Sequence, residues 1–268
     1  MFPYLHVFGI DIPMYGLLMA TALLVSVGLS FLRCRRRGLD GEKLLTIALI
    51  AVVFGIVGAK VLFMVVTYSW DEITAAVKAN GFIWIFQGGL VFYGGLIGGV
   101  IGAFVGAALA KAKIVLYSDP IVPTLPLAHA IGRMGCFCAG CCYGKVTESW
   151  IGMRFPSAVT GLAENVKVIP TQLIEAGANL IVFLFLLWFT RKKRQGFTTL
   201  FVYLFIYGVE RFLLEYLRGD EIRGIFGAFS TSQWISIGLV VIAAAGLIVT
   251  KVVSNKRSNE AEKGNTVS

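Results

Sequence analysis

The sequence predicts an all-α polytopic membrane protein with about seven transmembrane helices, its amino terminus outside and its carboxyl terminus in the cytoplasm. Three observations predict it. Hydrophobic residues make up 57% of the 268 residues and charged residues only 15%, where an ordinary soluble domain carries about 25% charged. Mean hydropathy is +0.80. The apolar residues also gather in runs of roughly 20, the length a helix needs to cross about 30 Å of hydrocarbon. Together these exclude a disordered chain, a fibrous chain and an ordinary cytosolic enzyme.

Six runs meet the length test well: 13–32, 44–67, 88–110, 170–190, 198–217 and 231–250. A weaker one, 114–135, carries Asp119, Pro120, Pro123, Pro126, His129 and Arg133. A broken polar span survives only where protein or a water-filled cavity re-satisfies its backbone, so the weakest span is the first pointer to a site. No basic residue precedes Arg33, so the first span lacks the n-region of a cleavable signal peptide and is expected to stay. A membrane domain over 1–253, with an outer-side loop region at 136–168, is followed by a polar cytoplasmic tail, 254–268, expected to be disordered.

Charge placement tests the count. Basic clusters follow spans one, three, five and seven: Arg33, Arg35–Arg37 and Lys43; Lys111 and Lys113; Arg191–Arg194; and Lys251, Lys256, Arg257 and Lys263. With seven spans all of these fall on one side, and the positive-inside rule makes that side cytoplasmic. Losing the proline-rich span would scatter them over both. The net charge of +9 therefore reads as topology and attraction to anionic lipid, not as nucleic-acid binding.

Span three carries Gly94, Gly98, Gly102 and Gly106 at a spacing of four, one helix face on which a second helix can approach closely. Its start, Gln87-Gly88-Gly89 and then Phe92-Tyr93-Gly94-Gly95, sets glycine pairs around a tyrosine, where backbone can approach a ligand. Charge inside the membrane marks further candidates, because a charged side chain there costs about 2.5–3.5 kcal/mol on insertion scales. Arg133 follows His129 by one turn. Tyr207, Arg211, Glu215 and Arg218 are spaced as one polar stripe, and Lys60 and Glu175 are isolated cases. Arg211 with Glu215 reads either as a packing ion pair or as part of a phosphate clamp, since two guanidinium forks can hold one phosphate. Lys60 reads as a snorkelling lysine. Four of the five cysteines fall in the segment 136–142, Cys-Phe-Cys-Ala-Gly-Cys-Cys. That spacing is not a zinc-ribbon spacing and no second Cys/His pair exists, so no metal and no cofactor are expected. A local disulfide, a redox role or simple packing at a tight turn remain open; Cys34 is expected to be a free thiol.

These motifs together resemble the prolipoprotein diacylglyceryl transferase family of bacteria. Gly132-Arg133-Met134-Gly135-Cys136-Phe137, running on to Gly144, is similar to its G-R-x-G-x-F segment. Gly88–Gly95 is similar to its glycine-flanked motif, and Pro170-Thr171-Gln172-Leu173 with Glu175 to its P-[ST]-Q-L-x-E element. Tyr207, Gly208, Arg211, Phe212, Glu215 and Arg218 match its Y-G-x-x-R-F-x-x-E-x-x-R segment, and Tyr15-Gly16 its amino-terminal pair. The chain departs from the better-known pattern at Tyr93, where many relatives carry histidine, at Cys136 (asparagine) and at Cys141 (glutamate).

The resemblance implies transfer of the sn-1,2-diacylglyceryl group of phosphatidylglycerol to the lipobox cysteine of a preprolipoprotein, in the bacterial cytoplasmic (inner) membrane. It gives a thioether and releases glycerol 1-phosphate. Under that scheme Arg133 holds the lipid phosphate and Arg211 is a second clamp, oriented by Glu215. Tyr93 and Tyr207 donate hydrogen bonds or relay a proton, His129 is a candidate base, and Gly94 and Gly144 lie against substrate. The alternatives are a thiol-redox membrane enzyme using the cysteine segment, or a lipid or solute transporter.

Overall fold

The computed structural model of the protein describes residues 3–7, 9–81, 84, 88–156, 161–163, 166–219 and 225–265. Gln87 of the glycine-flanked motif lies outside them. The described residues are mostly helical, with three short antiparallel strand pairs: β1 (Tyr4–Val7) with β2 (Ile10–Pro13), β3 (Met153–Arg154) with β4 (Lys167–Val168), and β5 (Ile225–Phe226) with β6 (Phe229–Ser230). The helices are α1 (Met14–Arg36), α2 (Gly41–Thr67), α3 (Trp70–Asn80), α4 (Phe92–Leu109), α5 (Ile114–Ile121), α6 (Thr124–Cys138), α7 (Thr171–Phe189), α8 (Thr198–Leu214) and α9 (Thr231–Asn265). Among them, α1, α2, α4, α7 and α9 are long and apolar enough to cross a membrane, and α5 and α6, bent by 48° at their junction, are so only as a pair, which makes either a sixth, broken span or a re-entrant loop. Helix α8 has 17 residues, at the lower limit for a crossing. Side chains such as Leu24, Val65 and Ile181 are largely exposed, as lipid-facing residues must be.

The expected disordered tail does not hold: α9 continues to Asn265. Its run Asn255–Asn265 has no proline and its lysines, glutamates and alanine favour helix, so the helix outlasts the apolar stretch.

The chain divides into two compact units, 31–117 and 1–30 with 118–268. In the first, α4 lies on α2 along the glycine ridge, as the spacing requires. Gly94 meets the carbonyl of Gly58, Gly98 that of Phe54, Gly102 that of Ile50, and Gly106 the backbone of Ile47. Each glycine removes the Cβ that would hold the two backbones apart. Gly94 is taken up by this packing and is buried. Helix α3 is started by a capping box between Ser69 and Glu72.

In the second unit the break between α5 and α6 falls at Val122–Pro123. The hydroxyl of Ser26 donates to the Thr124 carbonyl (3.2 Å), and Ser30 bonds the Thr124 hydroxyl (2.9 Å), so α1 supplies polar partners at the break. Asp119 accepts from the Thr199 hydroxyl (2.5 Å) and the Arg194 amide (2.9 Å), tying the loop and first turn of α8 to α5. The apolar core is built on Val122, Val182 and Leu186, with Leu200, Tyr203 and Ile206 against it.

A ridge glycine and an open one should behave oppositely. Gly98→Val should lower stability by about 1–3 kcal/mol or more through overpacking. Gly238→Ala, where an added Cβ meets nothing within 4 Å, should leave it unchanged or raise it by up to ~1 kcal/mol. Thermal unfolding of the detergent-solubilised protein measures both.

Candidate active site

Helix α7 organises the site. Gln172, Glu175 and Asn179 recur at helical spacing, so they share one face, and all three are buried. The Glu175 carboxylate, 2% exposed, takes the Arg133 guanidinium at 2.7 Å through Oε1, and the same oxygen lies 3.2 Å from His129 Nε2. Arg133 Nε also donates to His129 Nε2 at 3.3 Å. One turn further along α7, Asn179 Nδ2 donates to the Glu175 carbonyl and to Glu210 Oε1, both at 2.9 Å.

Arg211, at the end of α8, is held separately. Its Nη2 meets Glu215 Oε2 at 2.6 Å and donates to the Ser232 hydroxyl at 3.1 Å. Glu215 Oε1 accepts from the Ser230 hydroxyl at 2.9 Å, so the start of α9 fixes this pair. Arg211 Nη1 is buried and makes no hydrogen bond among the described residues. A buried guanidinium N–H without an acceptor is rare, because its desolvation is uncompensated. It is what an arginine looks like when its acceptor is a ligand. Both guanidiniums lie within electrostatic range of Glu175 and of Tyr207, and the Tyr207 ring sits 5.6 Å from that of His129.

Sequence spacing and structure part company at Arg218. The helix ends at Leu214, a single 3-10 turn covers Glu215–Leu217, and Arg218 is extended (φ −80, ψ 145). It therefore leaves the expected stripe and bridges Gly144 in an antiparallel contact. Its guanidinium lies against Cys142. Gly144 is the crossing point: an added Cβ would press on the Leu217 carbonyl, Thr171 and Ile169, so this glycine is required by backbone packing. Its amide donates to the Ile169 carbonyl at 2.8 Å.

The end of α6 explains the cysteines. Gly140 (φ 67) stops the helix in a Schellman turn: its amide donates to Phe137 O (3.2 Å) and the Cys141 amide to Cys136 O (3.1 Å). That turn folds Cys141 back over Cys136. Cys142 follows at φ 62, unusual for a residue with a Cβ. The thiols of Cys136, Cys141 and Cys142 all lie within 4.8 Å of one another, and all five cysteines are free. Gln172 Nε2 donates to Cys141 O (2.7 Å) and Thr171 Oγ1 to Cys142 O (2.8 Å), pinning the turn to α7. Hydrogen bonds from the Cys136 and Cys141 thiols hold the Cys142 thiol well below its ordinary range, with the charge of Arg218 adding to the effect. Its contacts with Cys136 and Cys142 push Cys141 up instead.

Of the residues expected at the site, Arg133, His129, Tyr207, Arg211 and Glu215 belong to the same unit and to this network. Gly144 is beside it in a structural role. Tyr93 and Gly94 belong to the other unit, where Tyr93 is exposed and packs its ring on Phe92 at 5.9 Å. His129 offers no free Nε2 for a base, since that atom is engaged by Arg133 and Glu175. Glu210 and Asn179 were not anticipated. Their signal was present: Asn179 stands one turn after Glu175, and Glu210 is a further acid within an apolar span.

Two outcomes follow from these contacts. Glu175→Ala leaves the Arg133 charge buried without its anion and should cost about 3–5 kcal/mol of stability, read from thermal unfolding. In reduced, chelator-treated protein, alkylation of Cys142 should change little between about pH 8 and pH 6, because its thiolate persists. An ordinary thiol with a pKa near 8.5 slows about tenfold per unit. Mass mapping after timed iodoacetamide exposure checks this.

Comparison with known proteins agrees with the motifs. The family model described as prolipoprotein diacylglyceryl transferase matches residues 3–249. Phosphatidylglycerol–prolipoprotein diacylglyceryl transferase 2 of Clostridium perfringens is 33% identical over 255 residues, covering 95% of this chain and 97% of that protein. The Clostridium tetani transferase is 34% identical over 237 residues, covering 88% and 92%. That of Clostridioides difficile is 30% identical over 255 residues, covering 94% and 95%. On the match of nearly its whole length, the chain belongs to the prolipoprotein diacylglyceryl transferase family.

Proposed function

We infer that this protein is a phosphatidylglycerol–prolipoprotein diacylglyceryl transferase acting in lipoprotein maturation, as the names of its relatives indicate. It moves the sn-1,2-diacylglyceryl group of phosphatidylglycerol to the lipobox cysteine of a preprolipoprotein. The acceptor sulfur attacks the terminal glycerol carbon, a thioether C–S bond forms, and the C–O bond to phosphate breaks. The electron pair leaves with glycerol 1-phosphate. The acceptor proton is lost on forming the thiolate, the reactive form of the thiol.

The observation that carries this reading is the buried, unpartnered Nη1 of Arg211 in the unit that also holds Arg133 on Glu175. Negative charge grows on the departing phosphate, and preorganised cations lower the energy of that state. Arg133 binds the lipid phosphate, and Arg211, oriented by Glu215 and Ser232, receives the developing charge. Tyr207, within electrostatic range of both guanidiniums, donates a hydrogen bond to a phosphate oxygen in this reading. His129 and Glu175 position Arg133.

The same reading sets the protein in the bacterial cytoplasmic (inner) membrane with seven spans, outside amino terminus and cytoplasmic carboxyl end. The length of α8 supports the seventh crossing, and the one-sided basic clusters support the orientation.

Purified protein with phosphatidylglycerol and a lipobox peptide should give the diacylglyceryl mass shift on the peptide cysteine. Arg133→Gln and Arg211→Gln should each lower the rate per folded molecule about 10²–10³-fold, with thermal unfolding reporting the folded fraction of each. No mass shift with wild-type protein, or wild-type rates for both variants, would sink the assignment.

A further inference from the structure

We propose that Cys136, Cys141 and Cys142 form a binding site for a thiophilic d10 cation, zinc(II), whose open fourth position takes the thiol of the acceptor peptide. The first half stands on the cysteine geometry alone; the second rests on the transferase function inferred above.

Cys138 lies outside the trio. The three remaining sulfur atoms, within 4.8 Å of one another, match a trithiolate site. Ligands about 2.3 Å from a tetrahedral zinc stand roughly 3.8 Å apart. The backbone holds them there before any ion arrives. The Schellman turn at Gly140 returns Cys141 over Cys136. Where such a turn usually closes with an apolar contact, this one closes with two thiols. Cys142 is kept in a left-handed conformation (φ 62) that non-glycine residues adopt only when their surroundings enforce it. Here the enforcement is visible: Gln172 and Thr171, each 1% exposed, grip the carbonyls of Cys141 and Cys142. A turn whose only task was to reverse the chain would place glycine or asparagine at that position.

Charge and access agree. Zinc with three thiolates carries one net negative charge. Arg218 lies against Cys142 and Arg133 is in electrostatic range of Cys136 and Cys142, so cations stand around the complex as outer-shell partners. Cys141 is exposed and the other two are half-buried, which leaves an open approach. Three protein ligands and a vacant fourth position are the pattern of a catalytic zinc site, and a thiol that enters the vacancy is deprotonated outright. Loading releases to solvent whatever thiol protons the three cysteines still carry. The acceptor thiol then displaces the zinc-bound water and releases one more. After sulfur has formed its bond to the glycerol carbon, the neutral thioether leaves and water returns. The site also lies one turn from Arg133 along α6, which puts the acceptor sulfur beside the guanidinium assigned to the lipid phosphate.

Cobalt(II) reads the site without reference to activity. Reduced, metal-free protein titrated with cobalt(II) should bind one ion per chain, giving thiolate-to-cobalt absorption in the near ultraviolet and tetrahedral d–d bands that zinc(II) bleaches. The bands should persist in Cys34→Ser and Cys138→Ser and vanish in Cys141→Ser/Cys142→Ser, with thermal unfolding reporting that each variant is folded. A lipobox peptide should shift the d–d bands, and the same peptide with serine for cysteine should not. Absence of stoichiometric thiolate bands in wild-type protein, or their survival in the double variant, overturns the metal site. Bands that the cysteine peptide leaves unmoved overturn the fourth-position role. Full transfer activity in metal-free protein likewise overturns that role while leaving the transferase assignment intact. Normal cobalt bands with no diacylglyceryl transfer under any metal condition would instead remove the transferase assignment and keep the site.

Discussion

One buried carboxylate sets the conditions for the rest. Glu175 is 2% exposed on a helix that is otherwise mostly apolar. An ionised carboxylate there is tolerable only with a cation on it. Arg133 is that cation, and the need is mutual, because an arginine inside an apolar layer requires an anion. The pair therefore locks α6 against α7 in one register. Once it is locked, His129 has its place on Arg133 and Asn179 can bridge from α7 to Glu210 on α8. The Arg211–Glu215 pair repeats the solution where α8 ends and α9 begins. Arg211 also keeps a buried N–H with no acceptor among the described residues. Structural ion pairs satisfy themselves, and a site holds something back.

The membrane character of the chain was legible because hydrophobic length is a one-dimensional property. So was the packing of α2 on α4, because a glycine every fourth residue has one geometrical meaning on a helix. The broken span was legible from Pro120 and Pro123. The hairpins were not, since two- to four-residue strands leave no periodicity to count. The helical continuation of α9 was not legible for a related reason: a polar run has no apolar periodicity to count, and only helix propensity extends it.

At the site, the arginines, Glu215, His129 and Tyr207 could be named from the cost of charge in hydrocarbon. Which acid serves which arginine could not. Arg133 and Glu175 are 42 positions apart in sequence, and no local pattern links them. Arg218 shows the converse failure. Spacing of seven from Arg211 placed it on the same helical face, but the helix ends at Leu214 and the rule ends with it. The closeness of Cys136, Cys141 and Cys142 was not legible for a third reason: ribbon spacings describe one kind of turn, and a Schellman turn brings sulfur atoms together at a different interval.

Helix α7 has one further consequence. Its first turn grips the cysteine turn through Thr171 and Gln172, and its second and third turns hold Arg133 through Glu175 and Glu210 through Asn179. The distance from Gln172 to Asn179 is then seven helical steps, roughly 10 Å, on a rod that cannot stretch. The helix works as a ruler between two binding elements. A residue inserted or deleted between those positions would rotate everything beyond it by about 100° and carry one set of partners off the shared face. Substitution can explore this segment, but its length is closed to change.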